Sequence, residues 1–209
     1  MSGPEPAIQG YGWVGFDNAA FWDERYRTKI ELGSGAGSRG EFLAYKRALL
    51  QDVIARFPFR SILDVGCGDI EATRTLQFDG AFTGIDVSPY VIERNREIRP
   101  DWKFFLGEFT ELARSGDLHA DLVLCLDVLI HQHDREHYRE FVRALLKASR
   151  VATVLNGFES LPRSGKLSPN VAFHEPIGRT LQEVGATKLE HLATFRRTSI
   201  VLIDTRCTP

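Results

Sequence analysis

Disulfide bonding is the first thing this chain lacks. Its 209 residues hold three cysteines, Cys67, Cys125 and Cys207. Three scattered cysteines make no disulfide framework and point to a reducing compartment. Long apolar runs are missing as well. No stretch approaches the roughly 18 residues that span a bilayer. Residues 1–6 have neither a basic start nor an apolar core, so no signal peptide is expected. Nor is there an excess of either charge. The net charge is −2 and the pI is about 6.3, which gives no electrostatic reason to expect nucleic acid or an anionic membrane as partner. Repeats are absent, and nothing in the sequence signals an oligomeric state. What is there is ordinary for one globular domain with a full core: 43% hydrophobic and 26% charged residues. A cytoplasmic protein is the default expectation.

Residues 1–16 are rich in Gly and Pro and read as an irregular arm. A helix is expected over 18–32, with Phe21, Trp22, Tyr26 and Ile30 near one face. Residues 33–40, Gly-Ser-Gly-Ala-Gly-Ser-Arg-Gly, form a loop. The pattern of Phe42, Leu49, Leu50, Val53 and Ile54 predicts a helix over 41–57, with Lys46 facing solvent. Pro58 ends it. Strands and helices then alternate. Strands are expected at 62–65, 82–85, 102–106, 121–126 and 151–155. Ser88 as N-cap and Pro89 at the first helical position start a helix to about residue 98. Asp134 caps another to about 149, with Tyr138, Phe141, Val142, Leu145 and Leu146 inward. A short helix over 177–184 ends at Gly185. Strands at 188–194 and 198–204 are joined by too few residues for a crossover, so they are antiparallel, with Arg196-Arg197 as their turn. This alternation implies an α/β fold, a parallel sheet with helices on both faces. The chain divides into an arm, helix and glycine-rich loop over 1–40 and a main domain over 41–209.

The most informative stretch is 61–69, Ser-Ile-Leu-Asp-Val-Gly-Cys-Gly-Asp. An apolar strand runs into an Asp-x-Gly-x-Gly turn, expected to lead into a helix, where a ligand can lie against backbone. Asp86 follows 17 residues after Asp69, at the end of a second strand. Glycine turn plus strand-end acid is how a Rossmann-like sheet holds a nucleoside. Glu71 stands where the third glycine of the dinucleotide fingerprint belongs. A nicotinamide oxidoreductase wants that glycine, yet remains open as a reading, as does a non-catalytic binding protein. An aminopropyl transferase would want more acids near the acceptor than the 127–134 segment offers. Residues 35–40 match Gly-x-Gly-x-x-Gly literally, but no strand precedes them.

Asp64-x-Gly66-x-Gly68 with Asp86 resembles class I S-adenosylmethionine-dependent methyltransferases, over about residues 61–204. The family's architecture is a Rossmann-like sheet of seven strands, mostly parallel, with the last one antiparallel. The resemblance implies S-adenosyl-L-methionine as cofactor. Asp64, Gly66, Cys67 and Gly68 would line its methionine part. Asp86 would accept both ribose hydroxyls, with Ile85 and Val87 bordering the adenine. Glu108 takes the place of the family's usual Asp, which accepts from the adenine amino group. Phe109 packs on the adenine ring or, equally, belongs to the core. Leu126 to Gln132 follow the fourth strand, where the family faces the methyl group and the acceptor. His131 is the candidate general base, since an imidazole of ordinary pKa accepts a hydroxyl proton near neutrality; its alternative is to hold a loop. Asp127 would orient His131 or the cofactor. Ser38, with Ser34 and Arg39, would cover the cofactor's carboxylate, unless the loop is only a linker. Tyr26, Gln132, His174 and Arg163 are candidate acceptor contacts, with Trp22 and residues 161–174 as walls and Lys166 as a second loop cation. The spacing of His131, His133, Asp134 and His137 also resembles a metal cluster, but Asp134 is better placed as a helix cap, so no metal is expected.

Phe21-Trp-Asp-Glu-Arg-Tyr26, the Ser-Gly-x-Gly-Ser loop and Leu129-Ile-His-Gln132 resemble a bacterial subgroup found with glycan and polysaccharide enzymes. The implied reaction is methyl transfer to an oxygen of a sugar, glycan or other small hydroxylated metabolite. Nitrogen methylation is the alternative.

Overall fold

The structure, a computed structural model, describes residues 15–114, 116, 118–161, 167–195 and 197–207. Arg163, Lys166 and Arg196 lie outside the described residues, as does the arm before residue 15.

In chain order the elements are α1 (Asn18–Thr28), α2 (Gly40–Arg56), β1 (Ser61–Val65), β2 (Ala81–Asp86), α3 (Pro89–Ile98), β3 (Lys103–Leu106), α4 (Phe109–Arg114), β4 (Ala120–Cys125), α5 (Arg135–Ala148), β5 (Ser149–Phe158), α6 (Ile177–Glu183), β6 (Leu189–Phe195) and β7 (Thr198–Asp204). Short 3₁₀ turns cover Ala36–Ser38 and Leu129–His131. The strands form one seven-stranded sheet in the order β3-β2-β1-β4-β5-β7-β6. β3 to β5 pair in parallel through β2, β1 and β4; β7 runs antiparallel to both β5 and β6. This is the Rossmann-like arrangement that the alternation predicts.

Buried residues on both faces explain why the central strands are apolar without a gap. Leu63, Val65, Val123 and Cys125 point to one layer, where α5 contributes Tyr138, Phe141, Val142 and Leu145 and α6 adds Ile177 and Leu181. Their neighbours Ile62, Leu122 and Leu124 point the other way, against Leu50 and Val53 of α2. Tyr26 of α1 joins Val91 and Ile92 of α3 over Cys67, Ile70 and Phe104. Each such side chain, fully buried, contributes about 1.5–3 kcal/mol relative to exposure. Both expected caps are present: Ser88 Oγ accepts from Val91 N at 3.3 Å, and Asp134 from His137 N at 2.7 Å. Gly185 has φ of +82° past the end of α6.

Five expectations need correction. α1 stops at Thr28, so Ile30 lies beyond it and is 49% exposed. Lys29 leaves helical geometry there, and turns lead to Gly33 at φ +43°. No helix follows the glycine turn. Residues 69–75 form turns, because Ile70 sits at φ +50° and Thr73 Oγ1 donates to Asp64 Oδ2 at 3.2 Å. α4 is an extra helix; the Glu108 carboxylate starts it by accepting from Glu111 N at 3.0 Å. Lys46 faces inward and is 3% exposed. Phe42, expected in the buried stripe of α2, lies at its exposed edge against Phe195.

The strand order reverses direction between β1 and β4. Open α/β sheets bind ligands in the crevice beyond the carboxyl ends of the strands at such a switch point.

Candidate active site

A cavity of about 450 Å³ opens beyond the carboxyl ends of β1, β2, β3 and β4. Its floor is the glycine turn. Gly66 and Gly68 have φ of +69° and +52°, which favours glycine. Space excludes larger residues too: a Cβ on Gly66 would fall 2.2 Å from Val128 Cγ2, and one on Gly68 2.3 Å from Ser34 Oγ. Gly66 N and Cys67 N both donate to Ile85 O, at 2.8 and 2.9 Å, and Asn95 Nδ2 donates to Gly68 O at 2.7 Å. The turn is therefore held by Ile85 of β2 and by Asn95 of α3.

Two acids frame it. Asp86 Oδ2 accepts from Gly68 N and Oδ1 from Ser88 N, each at 3.0 Å. Burial pushes its carboxyl up to about 6 against those backbone hydrogen bonds. Burial pushes Asp64 further, to about 7, with the Thr73 hydroxyl opposing. Both line the cavity, with Val65, Cys67, Val87 and Leu126.

Glu108 and Phe109 stand past β3. Phe109 packs on Phe141 at 5.2 Å and also lines the cavity, so it is core and wall at once. Glu108 Oε2 serves α4 through Thr110 and Glu111. Its Oε1 is buried without a hydrogen-bond partner, with His137 Nε2 3.6 Å away. Burial pushes this carboxyl up, but His137, the Thr110 hydroxyl and two backbone amides outweigh it and bring it to about 2.

Asp127 follows β4 at φ +60°, an unusual value for a residue with a side chain. Asn156 of β5 fixes it on both sides: Asp127 N donates to Asn156 Oδ1 and Asn156 Nδ2 to Asp127 Oδ1, each at 2.6 Å. Lys46 Nζ donates to Asp127 Oδ2. No hydrogen bond joins Asp127 to His131, so it does not orient the imidazole directly. That task falls to Asn170, whose carbonyl oxygen accepts from His131 Nδ1. The edge of the Trp22 ring packs on His131 at 4.9 Å. Burial lowers the His131 pKa to about 4 despite the Asn170 hydrogen bond.

The 33–40 loop lies on the site. Arg39 donates to Asp69 Oδ2 at 2.5 Å, so its guanidinium is engaged by the turn. Ser34 and Ser38 line the cavity, Ser38 almost wholly buried. Tyr26 donates from its hydroxyl to Ser34 Oγ at 3.0 Å and stands over Gly68. That places Tyr26 at the glycine turn, in the wall of the same cavity as His131 and Gln132.

Gln132 lines the cavity beside His131. His174 does not. It packs on Tyr138 at 5.2 Å, donates from Nε2 to Gln132 O at 2.8 Å, and lines a separate void of about 10 Å³. The fifth strand's loop thus buttresses the site from behind through His174. Arg163, the other loop candidate, lies outside the described residues. Among the described residues no three His, Cys, Asp or Glu side chains converge as metal ligands. Asp134 caps α5 and His137 faces Glu108. No described helix is long and apolar enough to cross a membrane.

Lys46, Asn156, Asn95 and Thr73 are site residues that sequence reasoning passes over. Only Lys46 left a signal: it shares a helical stripe with Leu50 and Val53, at i, i+4 and i+7.

The residues fit an adenosyl group carrying an amino-acid arm. Asp86 can take ribose hydroxyls, and Glu108 Oε1, which has no hydrogen-bond partner and lies 3.6 Å from His137 Nε2, suits an amino donor. The glycine turn leaves room for backbone contact. The sequence matches the methyltransferase domain family over residues 62–150. No curated protein matches the chain. Among solved structures, the N-methyltransferase NodS of Bradyrhizobium japonicum, in complex with S-adenosyl-L-homocysteine, is similar with a TM-score of 0.68 at 16% identity, over 90% of this chain and 98% of that one. Magnesium protoporphyrin IX methyltransferase of Synechocystis gives 0.63 at 17% identity, over 90% and 99%. The N-terminal domain of EvdMO1, solved with S-adenosylhomocysteine and D-fucose, gives 0.58 at 16%, over 96% and 91%. At these identities the neighbours carry the fold alone. Residues 62–150 thus match the methyltransferase domain family, and the strand order around them is that of a Rossmann-like methyltransferase fold.

Proposed function

We propose that the chain methylates a hydroxyl oxygen of a small neutral acceptor, such as a sugar or the end of a glycan, with His131 as general base. The observation that carries this reading is the fixed tautomer of His131. Its Nδ1 donates to the Asn170 carbonyl, which leaves Nε2 as the unprotonated nitrogen. Burial keeps the ring neutral at pH 7. Nε2 is thus ready to take a hydroxyl proton, a role worth about 10²–10⁴ in rate.

The bound cofactor supplies an electrophilic methyl group on a sulfonium. Asp86 and Glu108 would hold its nucleoside, and the Gly66–Gly68 turn would line its methionine part. The protein's further contribution is positioning and exclusion of water. Phe16, Trp22 and His133 give flat walls near His131, a surface that suits the face of a sugar ring. Lys46 is the one lysine or arginine among the described lining residues, against seven carboxylates. An anionic acceptor therefore finds little to bind there. The buried, free Cys67 and Cys125 accord with a reducing cytoplasm. The acidic lining also favours a second reading, in which the acceptor is an amine.

The test is a panel of neutral sugars, sugar phosphates, phenols and amines with methyl-labelled cofactor. Label on a neutral hydroxyl compound, lost in His131→Ala, is the expected result. Label on amines alone, at a rate that His131→Ala keeps, would overturn the oxygen reading.

A further inference from the structure

We propose that Lys46 binds the α-carboxylate of the cofactor's amino-acid arm. The proposal rests on the S-adenosylmethionine reading and deepens it at one residue. Lys46 enters the cavity from α2 and is 3% exposed. A lysine so deeply buried has an anionic partner, and here Asp127 Oδ2 is one. An ammonium carries three donors. Asp127 is the one acceptor that the described residues bring to Nζ, so capacity remains for a second anion.

Charge then decides where that anion goes. Among the described residues the cavity is lined by seven carboxylates, Asp64, Asp69, Glu71, Asp86, Glu108, Asp127 and Asp134, against the single Lys46. The sulfonium and ammonium of the cofactor find many acids there. Its carboxylate finds one cation. Direction agrees. Asp86 and Glu108, past β2 and β3, suit the nucleoside, so the arm extends towards β1 and β4, where Lys46 and Asp127 stand.

Two backbone features leave the place open. Gly37 lies against the ion pair, where a Cβ would fall 3.3 Å from Lys46 Nζ and 2.5 Å from Asp127 Oδ2. A side chain there would displace the pair. Rossmann-like sites commonly give an anion the N-terminus of the helix after the glycine turn. Here residues 69–75 are turns, and no such helix is offered. The positive end is supplied instead by a side chain from a helix that precedes the sheet.

The test is calorimetric titration with two probes, S-adenosylhomocysteine and 5′-methylthioadenosine. The second keeps the nucleoside thioether and lacks the amino-acid arm. Wild type should prefer the first. In Lys46→Met that preference should collapse, with S-adenosylhomocysteine weakened about tenfold to a hundredfold, the size of one charge-assisted hydrogen bond. Methylthioadenosine should stay within about threefold, which also reports that the variant is folded. The double variant Lys46→Met, Asp127→Asn leaves no orphaned carboxylate and should show the same selective loss. Equal weakening of both probes would make Lys46 a structural residue and overturn the proposal, as would unchanged affinity for S-adenosylhomocysteine in either variant. Failure of wild type to bind either probe is a different result and removes the cofactor reading itself.

Discussion

Ser34 and Asp69, 35 residues apart, hold one another through three hydrogen bonds. Ser34 Oγ donates to Asp69 Oδ1 at 2.8 Å, Ser34 N donates to Oδ2 at 3.3 Å, and Asp69 N donates back to Ser34 Oγ at 3.2 Å. The clasp ties the glycine-rich loop to the glycine turn. Burial pushes the Asp69 carboxyl up, but Arg39 and Ser34 outweigh it and hold it below the usual range.

Asp69→Ala should therefore release the loop without unfolding the sheet. Hydrogen exchange should quicken across residues 33–40 while β1 and β4 keep their protection. Equal protection of the loop in the variant would show that other contacts seat it.

Asp86→Ala removes the acceptor of two backbone amides, Gly68 N and Ser88 N, and the carboxylate offered to the ribose. Affinity for S-adenosylhomocysteine should fall at least about a hundredfold, since each hydrogen bond to a charged group contributes roughly 1.5–3 kcal/mol. NAD serves as the parallel control in calorimetry and should not bind wild type. Preference for NAD would restore the oxidoreductase reading.

Asp64→Asn should stabilise the protein at alkaline pH and weaken its binding of the cofactor. The folded carboxyl sits at about 7, above an unfolded value near 3.9. The folded state then holds a proton that the unfolded state releases, so stability is full below about pH 4 and declines as pH rises to 7. Asparagine removes that decline. At pH 8 the variant should melt about 2–4 °C higher for each kcal/mol recovered, and the gap should close near pH 4. A constant difference across pH 4–8 would mean that Asp64 is ionised throughout.

His131 leaves its mark on the pH profile. Its folded pKa is about 4, so the fall in kcat/KM that His131 itself causes should come towards pH 4, apart from any change near 6–7 as the buried Asp86 and Asp64 carboxyls titrate. His131→Ala should lose about 10²–10⁴ in rate. No fall towards pH 4, with an inflection near 6.5 that persists in Asp64→Asn and vanishes in His131→Ala, would place the imidazole in water and not in the buried position seen here.

Much of the fold could be read from residue order alone. β1 and β4 are buried on both faces, so their apolar runs stand out. Ser88-Pro89 and Asp134 start helices with side chains that satisfy free amides. The glycine turn and Asp86 share one strand–turn unit, so a local pattern contains them. What the sequence hides is pairing across distance. The type of residue 46 suggests solvent, although its place in the α2 stripe says core; the charge is satisfied by Asp127, 81 residues away. Asn156 reaches Asp127 only because β5 lies beside β4. His174 looks like a site residue because of its chemistry, but its ring turns to the Gln132 carbonyl on the far side of the loop.

The absence of a helix after β1 reaches beyond the turn itself. The family match begins at residue 62, after Tyr26, Ser34 and Lys46 have passed. Those three side chains complete one end of the cavity, and nothing downstream among the described residues replaces their charge or their cover. If Lys46 holds the cofactor's carboxylate as proposed, a protein pared to residues 62–150 would keep Asp86 and Glu108 and lose that cation. Residues 15–46 are better regarded as a wall of the cavity than as an appendage to it.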